Sequence, residues 1–369
     1  MKHARVDRPL AILIAVLVFG GIFIFSSAVF GLLARGATNM YSVVFSHLAL
    51  GIGGGTAALL IASRIPYRLW RRFAPHLFVF ALLLTAAVFI PQLGFEHGGG
   101  RRWLLIANFS IQPAEFLKAA TIIFAAAYFT AVRAKLQTLQ WGFGGLLFIL
   151  AGPGVILLAQ PDLGTLGVIV LSALAIYIAA GARWSHIALF IVGGLVALIT
   201  LSFALDSLSH ARERILTFLD PSQNQQVEGY QIKQSLIAIG SGGFSGRGFG
   251  QGVQKFTYLP EPMGDSIFAV LGEEFGLIGA MTLIALYLAL ALRGFHVAAR
   301  APDHFGGLLA IGISTYLVAE AFINIAAMLG LAPLTGIPLT FVSQGGSAML
   351  ASLGSAGILL AISRKAARG

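Results

Sequence analysis

The chain has 369 residues, 57% of them hydrophobic and only 10% charged, with a formal net charge of +10 and a mean hydropathy of +0.88. That composition excludes an ordinary soluble domain and places the chain among polytopic membrane proteins. The absence of cysteine excludes disulfides, thiolate metal sites and thiol catalysis, and the lack of a concentrated basic stripe argues against nucleic-acid binding.

Ten apolar spans follow one another, near 10–33, 41–62, 75–93, 112–132, 143–159, 164–181, 184–204, 264–292, 305–331 and 341–363, most of them close to the ~20 residues a helix needs to cross a bilayer. The first is too long for a signal-peptide core and shows no small-residue cleavage site, so it reads as a retained helix. With the N-terminus inside, fifteen Lys and Arg residues fall in cytoplasmic segments and only Arg35, Arg101 and Arg102 in short outer loops. The expected fold class is therefore an all-α polytopic membrane protein of ten transmembrane helices. It forms one domain over 1–369, with both termini cytoplasmic and a large extracytoplasmic loop, 205–263, between helices seven and eight.

Between spans three and four, GGGRRW puts Arg101 and Arg102 outside, against the charge trend and beside the interfacial anchor Trp103. A guanidinium fork matches phosphate oxygens, so an anionic headgroup is their expected ligand. In QPAEFLKAA, Glu115 and Lys118 share a helix face, either as a self-neutralising pair that lets span four insert or as part of a site. Asp162 in AQPDLGT precedes a Gly-Thr helix start and reads as a turn or cap residue or as a functional carboxylate.

The long loop begins with DSLSHARERILTFLDP, patterned like an interfacial helix, and continues into the glycine-rich IGSGGFSGRGFGQG. That run lacks the spacing of a phosphate-binding loop, so its glycines suit closely approaching backbone or a loop that moves over a bulky ligand. Then comes YLPEPMGDSIFAVLGEEFGLIGA, where Asp265 opens span eight and Glu273 with Glu274 lie inside it. At 100° per residue the three carboxylates cannot form one tight cluster. Asp265 serves either as an N-cap or, at the outer mouth of a cavity near arginines, as a general base on a hydroxyl nucleophile. No second carboxylate stands at a spacing suited to a hydrolytic pair, so group transfer fits better than glycoside hydrolysis.

Six ordered motifs, GGGRRWL, QPAEFLKAA, QPDLGT, GYQIKQSLIAIGSGGFSGRGFGQGVQ, YLPEPMGDSIFAVLGEEFGLIGA and GIPLTFVSQGGSAMLASLGSAGILL, resemble the SEDS family of bacterial cell-wall proteins, the RodA, FtsW and SpoVE group. The resemblance covers nearly the whole chain. It implies a peptidoglycan glycosyltransferase of the bacterial cytoplasmic membrane that polymerises lipid II into a nascent glycan strand on the outer face. The implied partner is a class B penicillin-binding protein acting as transpeptidase, and the implied cofactor a divalent cation, Mg or Mn.

By motif, Asp265 matches the family's essential aspartate, Glu115 and Lys118 its buried charged pair, and Asp162 the aspartate of its QPD segment. Lys233, Gln234 and Ser343, in the GYQIKQ and VSQGG motifs, join Arg101, Arg102, Glu115, Lys118 and Asp162 as candidate substrate-binding residues. The family more often has His-Thr-Asp-Phe where this chain reads Met263-Gly264-Asp265-Ser266, and Val-Ser-Tyr-Gly-Gly where it reads Val342-Ser343-Gln344-Gly345-Gly346. A short N-terminal tail resembles RodA, the elongation enzyme. The rival readings are a lipid II flippase, which needs polar groups through the full bilayer depth, and a scaffold for the transpeptidase. The outer position of Asp265 favours the enzyme.

Overall fold

Long uncharged stretches satisfy their own backbone in lipid only as helices, and helices make up most of the computed structural model. It describes residues 6–34, 40–97, 100–106, 109–204, 214, 217–218 and 228–366. The helices are α1 (Arg8–Ala34), α2 (Met40–Ser46), α3 (Gly55–Arg64), α4 (Arg68–Ala86), α5 (Pro113–Ala131), α6 (Gly144–Ala159), α7 (Leu163–Ala179), α8 (Trp184–Ala204), α9 (Glu228–Ser241), α10 (Gln254–Thr257), α11 (Ile267–Ala299), α12 (His304–Met328) and α13 (Gly346–Ala366). A π-helical segment, His47–Gly54, joins α2 to α3.

Among the described residues, eight helical segments are long and apolar enough to cross a membrane. Two shorter apolar helices, α7 and the Trp184–Thr200 part of α8, occupy the places of predicted spans six and seven. The expected interfacial helix at the start of the long loop lies, apart from Arg214, Thr217 and Phe218, outside the described residues.

Helix starts follow local chemistry. Pro113 opens α5, where its missing N–H breaks no bond, and Asp303 caps α12 by accepting from Gly306 N at 2.8 Å. The centre of the bundle is α12 and α13 with α5 beside them; α11 packs on α12, and α3 on α13.

Two features correct an all-helical reading. The connection before α5 forms a three-stranded antiparallel sheet, β1 (Gly94–His97), β2 (Gly100–Ile106) and β3 (Phe109–Ile111), in the order β1-β2-β3. Its buried Leu104 pairs with Gly94 on one side and Ile111 on the other. A connection at the membrane edge must place its own backbone donors and acceptors, and pairing with itself does so.

The second is a break in α11 at Gly276, whose φ of 63° and ψ of −158° are open in practice only to glycine. The glycine-rich loop re-enters beside the break. Arg247 N and Gly248 N donate to the carbonyls of Glu273 and Glu274 at 3.0 Å each, while Leu277 N and Ile278 N donate to Gly243 O (2.9 Å) and Phe244 O (3.2 Å). Close approach is what the glycines permit, since a Cβ on Gly246 would stand 2.1 Å from the Glu274 carbonyl.

Candidate active site

Asp265 belongs to a tight turn between α10 and α11. Gly264 N and Ser266 N both donate to Glu261 O, at 3.1 and 3.2 Å, and Glu261 itself sits in the left-handed region at φ 43°, a strained choice for a non-glycine residue. The segment before α13 grips the turn from the far side: Ser343 Oγ donates to Gly264 O at 2.7 Å and Gln344 N to Met263 O at 2.7 Å. Asn324 of α12 donates its Nδ2 to the carbonyls of Asp265 (2.9 Å) and Ile337 (2.8 Å), and Gln231 of α9 donates to Ser266 Oγ at 3.0 Å.

The turn that carries Asp265 is thus held by three elements, with Asn324 bonding the Asp265 carbonyl itself, while among the described residues no donor bonds its carboxylate. It does not cap α11. That position falls on Ser266, whose side chain makes no capping bond.

Instead Asp265 lines a cavity of about 390 Å³ together with Arg102, Trp103, Arg214, Glu261 and Gln344. Half-buried, its carboxyl is pushed up to about 6, first by burial and then by the neighbouring Glu261 carboxylate, while Arg214 and Arg102 pull in the opposite direction. A carboxylate of that basicity is ionised at neutral pH and accepts a proton better than an ordinary aspartate.

The two arginines of β2 have different surroundings. Arg102 is half-buried on the cavity wall, with Nε donating to Gln160 O at 3.1 Å and Nη2 to Pro161 O at 2.5 Å. Those bonds use part of its fork and aim what is left. Arg101, the next residue along β2, is exposed and does not line the cavity.

Glu115 and Lys118 are sealed between α5 and α12. Lys118 Nζ lies 2.9 Å from Glu115 and bonds Glu320 as well, and all three side chains are buried. Asp162 caps α7, accepting from Thr165 N at 3.2 Å and from Thr165 Oγ1 at 2.9 Å. Lys233 is exposed and Gln234 half-buried on α9, and neither lines the cavity. Ser343 is buried and spends its hydroxyl on backbone, accepting from Leu339 N and donating to Gly264 O.

Sequence reasoning passed over Arg214, Gln344 and His47 on the cavity wall, Glu261 as the carboxylate facing Asp265, and Glu320 as the third member of the buried cluster. Glu261 was visible as one of four acidic residues in a single stretch; the others become neighbours only in three dimensions. Among the described residues no group of three metal-ligating side chains converges.

A family model described as "Cell cycle protein", covering FtsW, RodA and SpoVE, matches residues 7–368. Stage V sporulation protein E of Bacillus subtilis is 38% identical over 312 residues, covering 85% of this chain and 84% of that protein. Probable peptidoglycan glycosyltransferase FtsW of Geobacter sulfurreducens is 40% identical over 84% of this chain and 83% of its own length. Among solved structures, one described as "Structural coordination of polymerization and crosslinking by a peptidoglycan synthase complex" matches with a TM-score of 0.81 at 25% identity, covering 98% of both chains. Thermus thermophilus RodA matches with a TM-score of 0.69 at 25% identity, over 98% of this chain and 97% of its own.

Proposed function

The chain belongs to the FtsW, RodA and SpoVE family, and from that premise we propose that it polymerises lipid II at the cavity around Asp265. It is a peptidoglycan glycosyltransferase, an integral protein of the bacterial inner membrane. The observation that carries the site is a carboxylate with a rigidly held backbone, no cap to serve, and two guanidinium groups in the same cavity.

In this reaction the acceptor's N-acetylglucosamine 4-hydroxyl attacks the anomeric carbon of the donor's N-acetylmuramic acid. Asp265 takes the hydroxyl proton as the new C–O bond forms. The bond from the anomeric carbon to the pyrophosphate oxygen breaks, and undecaprenyl pyrophosphate leaves. Arg102 and Arg214 face its growing negative charge, a preorganised electrostatic contribution of the kind that usually dominates.

A divalent cation is proposed from resemblance alone; among the described residues no three carboxylate or imidazole groups converge to hold one. Counting α7 and α8 as crossings would give ten spans and both termini on one side, and the excess of Lys and Arg in the segments on that side supports the reading that the termini are cytoplasmic and the cavity is outside. The proposed partner is a class B penicillin-binding protein, in line with the solved peptidoglycan synthase complex. The finer assignment to elongation and shape maintenance rests on the fold match to RodA, although the sequence relatives carry FtsW and SpoVE names. Rescue of a strain depleted of its elongation enzyme, but not of one depleted of its division enzyme, tests it.

The experiment for the activity is incubation of the purified protein with lipid II in detergent, where there is no membrane to cross. Glycan strands of many repeats are expected. No polymer, even with the transpeptidase and a divalent cation supplied, would transfer the case to a flippase or a scaffold.

A further inference from the structure

Asp265 sits near the midpoint of a segment whose two ends are tied together inside the protein. Lys255, in α10, is fully buried, with its ammonium 2.5 Å from Glu274 Oε1 and 2.6 Å from Ser27 Oγ of α1. Ser27 Oγ in turn donates to Glu274 at 2.7 Å, and Gly250 N donates to the other carboxylate oxygen at 3.0 Å. The adjacent Glu273 accepts from Val253 N at 2.8 Å and Gln254 N at 3.1 Å. The chain from Lys255 to Glu274 is therefore a loop closed at its base by an ion pair, with the Glu273 carboxylate bonding the backbone just before it.

None of these groups lines the cavity, so none touches substrate there. A fold that needed only to bury this volume would be served as well by apolar side chains, since two charges taken out of water rarely repay their desolvation. What an ion pair with three further hydrogen bonds does provide is a fixed geometry. The axial height of Glu274 in α11 sets the height of Lys255, and so of everything between them.

Helix α1 backs the same arrangement at two levels. A Cβ on Gly31 would stand 2.4 Å from Lys255 O, and one on Gly21 would stand 2.2 Å from Phe341 O. Phe341 lies two residues before Ser343, which grips Gly264. The left-handed φ of 66° at Phe341 marks that segment as held rather than relaxed. Both flanks of the Asp265 turn thus rest on one helix through glycine contacts that leave no slack.

We infer that Lys255, Glu274 and Ser27 form a positioning clamp that sets where Asp265 stands in the cavity. This rests on the reading of Asp265 as the base. The clamp acts on the rate of the chemical step and not on lipid II binding, because its members do not line the cavity.

The test uses the full chain in detergent with four variants: Lys255→Met, the double Lys255→Met with Glu274→Met, Gly31→Ala, and Gly20→Ala, where a Cβ meets nothing within 4 Å. Lys255→Met alone leaves a buried carboxylate unpaired and should lose folded yield. The double variant removes both charges at similar volume and should fold. Expected for the double variant and Gly31→Ala is a kcat lowered by about 10²-fold per folded molecule with unchanged lipid II affinity, the scale of an ångström-sized misplacement. Hydrogen exchange across 258–266 should rise in both and stay at the wild-type level in Gly20→Ala.

Wild-type kcat and exchange in a folded double variant would overturn the clamp, as would a Gly20→Ala loss equal to that of Gly31→Ala. Exchange does not depend on turnover. A wild type that makes no polymer would sink the polymerase reading while the exchange pattern still decides the clamp.

Discussion

Two clusters of charge lie close together in this protein, one open and one sealed. Around Asp265, two carboxylates and two arginines line a cavity, and Asp265 itself is half-buried. Around Lys118, two carboxylates and a tyrosine ring 5.2 Å away close on a single ammonium, and all four side chains are buried. The sealed cluster is also a strut: Glu320 accepts from Thr340 Oγ1 at 3.1 Å, and Asn324, one helical turn further along α12, bonds the Asp265 carbonyl. Charge thus has two settings here. Open, it lines a cavity at the mouth of a span; sealed within the spans, it holds the elements that carry the open cluster.

The contrast is broken most severely at Lys118. Lys118→Ala leaves Glu115 and Glu320 buried without their counter-charge, which should cost about 3–5 kcal/mol and most of the folded yield in detergent. A double-mutant cycle pairing Lys118→Met with Glu320→Gln, read by melting temperature, should show strong coupling. Coupling near zero would show that the two do not act as a pair.

At the open cluster, Arg102→Lys keeps the charge but loses the fork and its carbonyl tethers, so apparent lipid II affinity should weaken by about tenfold, roughly one charge-assisted hydrogen bond. Arg101→Lys, off the cavity, should change it little. Equal effects in both would erase the distinction drawn between them.

The pH profile separates the clusters without mutation. A base whose carboxyl is held near 6 gives a rate that rises with pH through about 6. For stability the sign is reversed. The folded carboxyl is raised above its ordinary 3.8, so its stabilising contribution is fully present below that value and lost as pH rises through about 6. The smallest effect expected is at Asp162, where Asn keeps most of the capping ability and Ala should cost about 1 kcal/mol in thermal stability.

Much of this was legible in the sequence, because polar groups in an apolar chain are conspicuous. The apolar spans, Asp265 just before the start of a long helix, and Glu115 with Lys118 one turn apart all follow from composition and spacing. Glu320 did not, since it meets Lys118 from another helix 202 positions away. Glu273 and Glu274 stood out as carboxylates inside an apolar span, but their partners, backbone N–H groups of the glycine-rich loop and, for Glu274, the side chains of Lys255 and Ser27, come from other parts of the chain. The small sheet was missed because a short polar connection carries no period strong enough to set against the helices around it. Lys233 and Gln234 were carried by motif alone, and α9 turns its Gln231 toward the Asp265 turn instead.

The most direct measurement of the central claim is glycan formation from purified lipid II by wild type and Asp265→Asn side by side, with melting temperature and lipid II binding recorded for both. Asparagine keeps the size of the side chain and removes the proton acceptor, a contribution of about 10²–10⁴ in rate. The account predicts a folded variant that binds lipid II, melts no lower than wild type at neutral pH, and makes no detectable polymer. Near-normal polymer from a stable Asp265→Asn protein would contradict it.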